Sequence, residues 1–212
     1  MIDLINDDCM NIMKDYEDNH FDLAIVDPPY GLGNKLFDFE INLKTKIRKH
    51  TKKDWNIVPN KNYFNELFRV SKNQIIWGAN YFTKNLPISK GWIFWDKKYE
   101  GMHSFSDGEL AYTSFNRLLK SFTYRGGATF NTSDVKNTFH PTQKPIKLYE
   151  WLLHNYAEKG QKILDTHLGS GSIAIACHYF GCDLVGVEID KEYYDSAVKR
   201  IDQLTRQESL FI

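Results

Sequence analysis

The sequence predicts an α/β fold in which a mostly parallel β-sheet is flanked by helices, and three observations carry that reading. Short apolar runs rich in β-branched residues, such as Leu23-Ala24-Ile25-Val26, are bounded by turn formers, as buried strands are. Ile163-Leu164-Asp165 is followed by a turn carrying Gly169 and Gly171, and then by the helical run Ile173, Ala174, Ala176, Cys177 and Phe180. Asp183-Leu184-Val185-Gly186-Val187 then supplies a second strand ending at Glu188, which completes a strand, glycine turn, helix, strand unit.

The other elements follow in order. Met1 to Ile5 reads as a strand with Asp7-Asp8-Cys9-Met10 at its carboxyl end. The Leu23–Val26 strand stops at Pro28 and Pro29, which have no N–H for a ladder, so Asp27 stands at its end. Tyr63 to Val70 predicts a helix; Gln74 to Trp77, Trp92 to Trp95 and Leu110 to Phe115 predict strands. Pro145 suits the first position of a helix whose apolar face is Tyr149, Leu152, Leu153 and Tyr156. Asp190 is expected to cap a final helix carrying Tyr194, Ala197, Val198 and Ile201 on one face.

Composition fits a single domain over residues 1–212 that is soluble and cytoplasmic. At 42% hydrophobic and 15% aromatic residues the chain can bury a full core. Its three cysteines lack metal-ligand spacing, so a reducing compartment is expected, with neither a disulfide framework nor a metal site. There is no secretory leader, membrane-length apolar run, internal repeat or interdomain linker.

Two stretches carry chemistry. In Asp27-Pro28-Pro29-Tyr30, a carboxylate and a rigid carbonyl can accept both hydrogens of an exocyclic amine, while Tyr30 offers a flat face to a base. In Leu168-Gly169-Ser170-Gly171-Ser172, glycines let the backbone approach a ligand, and a helix N-terminus follows. Glu188 lies about 20 residues beyond, where an acid binds ribose hydroxyls. Ala174 occupies the third glycine position of the dinucleotide pattern, so a nucleoside without pyrophosphate fits better than NAD.

In these motifs and their order the chain resembles the β-class DNA amino-methyltransferases over nearly its whole length. The resemblance implies a Rossmann-like methyltransferase fold with a seven-stranded sheet and permuted motif order, S-adenosylmethionine as cofactor, and methylation of adenine N6 in double-stranded DNA. Asp27, Pro28, Pro29 and Tyr30 would be catalytic. The cofactor pocket would comprise Asp165, His167, Gly169, Ser170, Gly171, Ser172 and Glu188, completed by His140, Thr142 and Lys144 of the segment His140-Pro141-Thr142-Gln143-Lys144-Pro145. Thr142 and Lys144 would lie near the cofactor's methionine end. Asp8 either approaches the cofactor adenine or caps a helix. Many relatives carry Pro-Phe where this chain has Thr166-His167, so a pH-dependent cofactor affinity is the expectation at His167. Cytosine-N4 enzymes more often have serine at the position of Asp27; that base, or a DNA-binding module that keeps the pocket without turnover, is the alternative.

The net charge is zero, but Lys44, Lys46, Arg48, Lys49, Lys52 and Lys53 crowd one stretch directly after the catalytic segment. This run is either an ordinary solvated loop or a phosphate-neutralising one. Residues 31–58 and 117–139, the latter with Arg117, Lys120, Tyr124 and Arg125, are the candidate DNA-reading segments. The tail at 205–212 carries Gln207, Leu210 and Phe211. It resembles the motif with which bacterial proteins dock on the replication sliding clamp, or else packs on its own domain. A homodimer and a companion restriction endonuclease are compatible with short recognition segments; a membrane is not expected.

Overall fold

The structure, a computed structural model, describes residues 1–31, 57–98, 106–125, 140 and 142–206. Among them eight strands form one sheet: β1 (Ile2–Ile5), β2 (Phe21–Val26), β3 (Ser71–Trp77), β4 (Trp92–Asp96), β5 (Gly108–Thr113), β6 (Lys120–Thr123), β7 (Lys162–Asp165) and β8 (Asp183–Val187). Their order is β1-β8-β7-β2-β3-β5-β4-β6. Only β5 runs against the rest, since it pairs antiparallel with both β3 and β4 while every other pairing is parallel. Five helices, α1 (Cys9–Met13), α2 (Lys61–Val70), α3 (Ile146–Tyr156), α4 (Ser172–Phe180) and α5 (Lys191–Thr205), flank it.

Side chains alternate across the sheet with period two and so feed two cores. Leu23, Ile25, Ile75, Trp77 and Ile163 pack with α3, α4 and α5. Ala24, Val26, Ile76 and Leu164 pack on the other face with Met13 of α1 and with Tyr63, Phe64, Leu67 and Val70 of α2. Because both faces are covered, the central strands read as unbroken apolar runs, which made them visible in the sequence.

The sheet has eight described strands where seven were expected. The additional one, β6, lies inside the 117–139 segment assigned to DNA reading; three of its four residues are exposed, and an edge strand of that kind carries no apolar run to announce it. The strand expected over Leu110–Phe115 ends at Thr113, because Ser114 turns its side chain onto Gln74 N at 2.9 Å. Pro145 stands one position earlier than expected, as the N-cap residue of α3. Asp190 caps α5, accepting from Glu192 N at 3.0 Å and Tyr193 N at 3.2 Å. No helix among the described residues is long and apolar enough to cross a membrane.

Connectivity positions the site. From β2 the chain crosses through α2 to β3 on one side; from β7 it crosses through α4 to β8 on the other. β2 and β7 are themselves paired, with Leu23 opposite Ile163 and Ala24 opposite Leu164. The crevice beyond their carboxyl ends is therefore the switch point of the sheet, where α/β proteins bind ligands.

Leu164 is fully buried at this junction. Leu164→Ala should lower the unfolding free energy by about 2–5 kcal/mol in urea titration, whereas Lys120→Ala on the exposed edge strand should change it by less than about 0.5 kcal/mol.

Candidate active site

Asp27 follows β2 directly, at the switch point. Tyr30 OH donates to Asp27 Oδ1 at 2.5 Å, and the Lys144 ammonium donates to Oδ2. Both carboxylate oxygens are thus engaged. Pro28 is buried and Pro29 half-buried. The Tyr30 ring stacks on Tyr81 with centroids 5.1 Å apart and planes 16° apart. Its place depends on Gly78, which follows β3 at φ +64° and where any Cβ would overlap the Tyr30 ring.

Lys144 is the centre of a buried charge cluster. Its side chain is 3% exposed, and its Nζ lies 3.1 Å from Glu109 Oε2. Glu109 Oε1 in turn lies 2.6 Å from Lys97 Nζ. Burial disfavours the Lys144 ammonium, yet the two carboxylates outweigh it and raise its pKa above the ordinary lysine value. Burial likewise opposes the Glu109 carboxylate, and the ammoniums of Lys144 and Lys97 overcome that and hold its pKa down at about 2. The resemblance implied a place for Lys144 near the cofactor's methionine end; in the structure its charged tip rests on Asp27.

The glycine turn forms the opposite wall. Gly169 N donates to Glu188 Oε2 at 2.9 Å, and Asp190 N donates to Oε1 at 2.9 Å, so one carboxylate ties the turn to the end of β8. Gly169 and Gly171 have φ of +52° and +72°, values open to glycine at little cost. A Cβ on Gly169 would stand 3.4 Å from the His140 ring, which also packs against Tyr193 with centroids 4.5 Å apart. Thr142 Oγ1 is 3.3 Å from His140 Nδ1. Ser172 Oγ donates to Lys144 O at 2.8 Å and lies 3.2 Å from Ser170 Oγ. Arg200 Nη1 donates to Ser170 O at 2.7 Å. Residues 140–144 therefore reach from the glycine turn to Asp27. Asp8 caps α1, accepting from Met10 N at 2.8 Å, while its charge still reaches His167.

Asp165 ends β7 and is 2% exposed. Burial pushes its carboxyl up to about 8, against a bond from His167 N, with Asp27 and Glu188 adding to the rise. It is a neutral acid at pH 7. Burial pushes the His167 imidazole down to about 4; its Nδ1 lies 2.9 Å from Thr166 Oγ1, itself 2.7 Å from Tyr63 OH. His167 is therefore neutral between pH 5.5 and 8, which corrects the expectation of pH-dependent affinity from that ring. Asp165 is the group that titrates at the upper end of that window.

Arg117 is placed away from the site. Its guanidinium lies over the rings of Phe115 and Tyr156 and donates to Asn155 O. It thereby satisfies the carbonyl end of α3, the end remote from Lys144, a structural use of its charge. Arg125 is exposed just beyond β6, which runs parallel to β4 and so leaves the sheet at the same end as Asp27. Lys44, Lys46, Arg48, Lys49, Lys52 and Lys53, and Gln207, Leu210 and Phe211 of the tail, lie outside the described residues. Among the described residues no cluster of His, Cys, Asp or Glu groups could hold a metal ion.

Sequence reading missed Glu109, Lys97, Gly78, Tyr63 and Arg200. Glu109 had a signal: it shares the alternating face of β5 with Ala111, which lies in the core, and a carboxylate on such a face needs a buried partner. Gly78 had none, because its requirement arises from a ring 48 residues earlier in the chain.

A family model described as DNA methylase, of the N6/N4 type, matches residues 47–199. The stretch begins after Asp27–Tyr30. The chain is 24% identical over 231 residues to the type II methyltransferase M.HpaI of Haemophilus parainfluenzae, covering 94% of this chain and 74% of that protein. Its fold is similar to the M1.HpyAVI–SAM complex, with a TM-score of 0.64 at 20% identity, covering 95% of this chain and 100% of the other. It is also similar to the cytosine-N4-specific PvuII DNA methyltransferase, with a TM-score of 0.62 at 11% identity, covering 97% and 92%.

Three outcomes follow from this geometry. Unfolded histidine binds a proton that folded His167 does not between about pH 4 and 6.5, so its contribution is full above 6.5 and lost as pH falls towards 4. His167→Phe should flatten the acid side of the Tm-against-pH curve by at most about 3 kcal/mol. Asp165 has the opposite sign, holding a proton that the unfolded chain sheds above about 4, so stability falls from there to about pH 8 and Asp165→Asn should remove that slope. Gly78→Ala should cost about 1–3 kcal/mol in thermal unfolding by straining the backbone and displacing Tyr30.

Proposed function

This chain belongs to the N6/N4 family of DNA methylases, and we propose that within it the chain methylates adenine N6 in double-stranded DNA, with S-adenosylmethionine as donor. The observation that carries this is the Asp27 carboxylate at the β2–β7 switch point, beside Pro28 and Tyr30. Serine there would favour cytosine N4.

The residues present fit that cofactor. The left-handed glycine turn leaves open the space that a Cβ on Gly169 would take beside His140, and the carboxyl groups of Glu188, Asp165 and Asp27 surround the crevice. Glu188 would hold the ribose hydroxyls, Asp8 and His167 would lie towards the adenine, and the turn at Gly169–Ser172 with His140 and Thr142 would hold the remainder. S-adenosylmethionine supplies a methyl group on a positive sulfonium. Asp165, neutral at pH 7, gains a reason to ionise when a cation lies beside it.

Adenine N6 is a poor nucleophile because its lone pair is delocalised into the ring. Asp27 and the Pro28 carbonyl would accept the amine hydrogens, turn the lone pair towards the methyl group and stabilise positive charge developing on nitrogen. The nitrogen lone pair would form the new C–N bond as the methyl carbon–sulfur bond breaks with its electron pair going to sulfur, and Asp27 would take the proton the nitrogen then sheds. No covalent intermediate with the protein is needed. Tyr30 would stack on the extruded base, whose unstacking costs a few kcal/mol. Arg125 and the cations between Lys44 and Lys53 would neutralise phosphates.

Purified protein incubated with unmethylated DNA and S-adenosylmethionine, followed by nucleoside mass spectrometry, should yield N6-methyladenine; N4-methylcytosine would move the reading to the other base. Asp27→Ala should lower turnover by about 100-fold or more while leaving cofactor affinity within about threefold, because Glu109 still pairs the Lys144 ammonium.

A further inference from the structure

Each Asp27 oxygen already accepts one hydrogen bond before an amine arrives. Oδ1 accepts from Tyr30 and Oδ2 from Lys144. An amine that binds Oδ2 competes there with the Lys144 ammonium, which is 3% exposed and shared between Asp27 and a second anion. Glu109 Oε2 is that anion. It lies 3.1 Å from Lys144 Nζ, within ion-pair distance, yet it is buried and accepts no hydrogen bond. Its other oxygen is occupied, since Oε1 lies 2.6 Å from Lys97 Nζ, which holds the carboxylate in place. A buried carboxylate oxygen at ion-pair distance from the ammonium but outside good hydrogen-bond geometry can take a larger share of that cation when Asp27 gives it up.

We infer that Glu109 is a positioning residue for methyl transfer: it receives the Lys144 ammonium when the target amine binds Asp27, and so frees Oδ2 without leaving a buried charge unpaired. This rests on the methyl-transfer reading. The same transfer keeps the cation near the nitrogen but turned from it, which limits its repulsion of the positive charge that develops there. Lys97 acts through Glu109 alone and fixes the receiving oxygen.

The experiment is a double-mutant cycle on kcat in single-turnover assays with the full chain, DNA and S-adenosylmethionine, with cofactor Kd measured in parallel. Glu109→Gln keeps the shape and removes the charge. It should lower kcat by about tenfold or more with cofactor Kd unchanged. In a Lys144→Met background, where no ammonium needs receiving, the same substitution should cost less than about twofold. An equal cost in both backgrounds overturns the proposal, as does a Glu109→Gln protein with full kcat. Should Lys144→Met fail to bind cofactor, Glu109→Asp carries the test: it keeps the charge and should retain more of kcat than Glu109→Gln, and an equal or larger loss overturns the idea. Wild-type protein that makes no methylated nucleoside would overturn the methyl-transfer reading itself, and this one with it; normal wild-type product with a failed cycle removes only the role of Glu109.

Discussion

Parallel pairing of β2 with β7 is the constraint on which the rest depends, because these strands come from halves of the chain that are far apart in sequence. Each is followed by a crossover that leaves in the opposite direction, so neither α2 nor α4 closes over the carboxyl ends they share. Asp27 and Asp165 end these two strands and lie close enough that the Asp27 charge raises the pKa of Asp165. The segments around these two aspartates, 138 residues apart, become neighbours through backbone pairing alone. The cores on both sheet faces then hold that pairing rigid.

Electrostatic balance follows from where the crevice lies. Four groups, Asp27, Glu109, Lys144 and Lys97, meet at one wall in alternating sign, an arrangement that favours the charged forms of Lys144 and Glu109 against burial. Across the crevice the solution is different. For Asp165 and His167 burial outweighs the charges of Lys144 and Asp8 that favour ionisation, and both are held neutral. A crevice with one charged and one neutral wall can take a cationic ligand beside Asp165 without disturbing the cluster beneath Tyr30.

Much of this was legible beforehand. Buried strands of a parallel sheet are continuous apolar runs, and β2, β3, β7 and β8 were read from that signal. Glycines with positive φ and an N-capping aspartate also announce themselves locally, as Gly169, Gly171 and Asp190 do. β6 escaped because an exposed edge strand has no apolar period, and Arg117 was read as a DNA contact because charge alone cannot distinguish a phosphate from the carbonyl end of a helix. The pairing of Lys144 with Asp27 and Glu109 left no mark in the sequence, since a four-carbon stem can reach many partners.

The sequence by itself determined the elements other than the exposed edge strand β6, their order and the family, because strand period, proline stops and glycine turns act over a few neighbouring residues. Only the tertiary structure decided which side chains meet. Gly78 beneath Tyr30, Glu109 against Lys144 and Tyr63 on Thr166 join segments between 35 and 103 residues apart, as the numbering of each pair shows. Such contacts depend on register between strands and on the reach of long side chains, neither of which leaves a local periodicity to read.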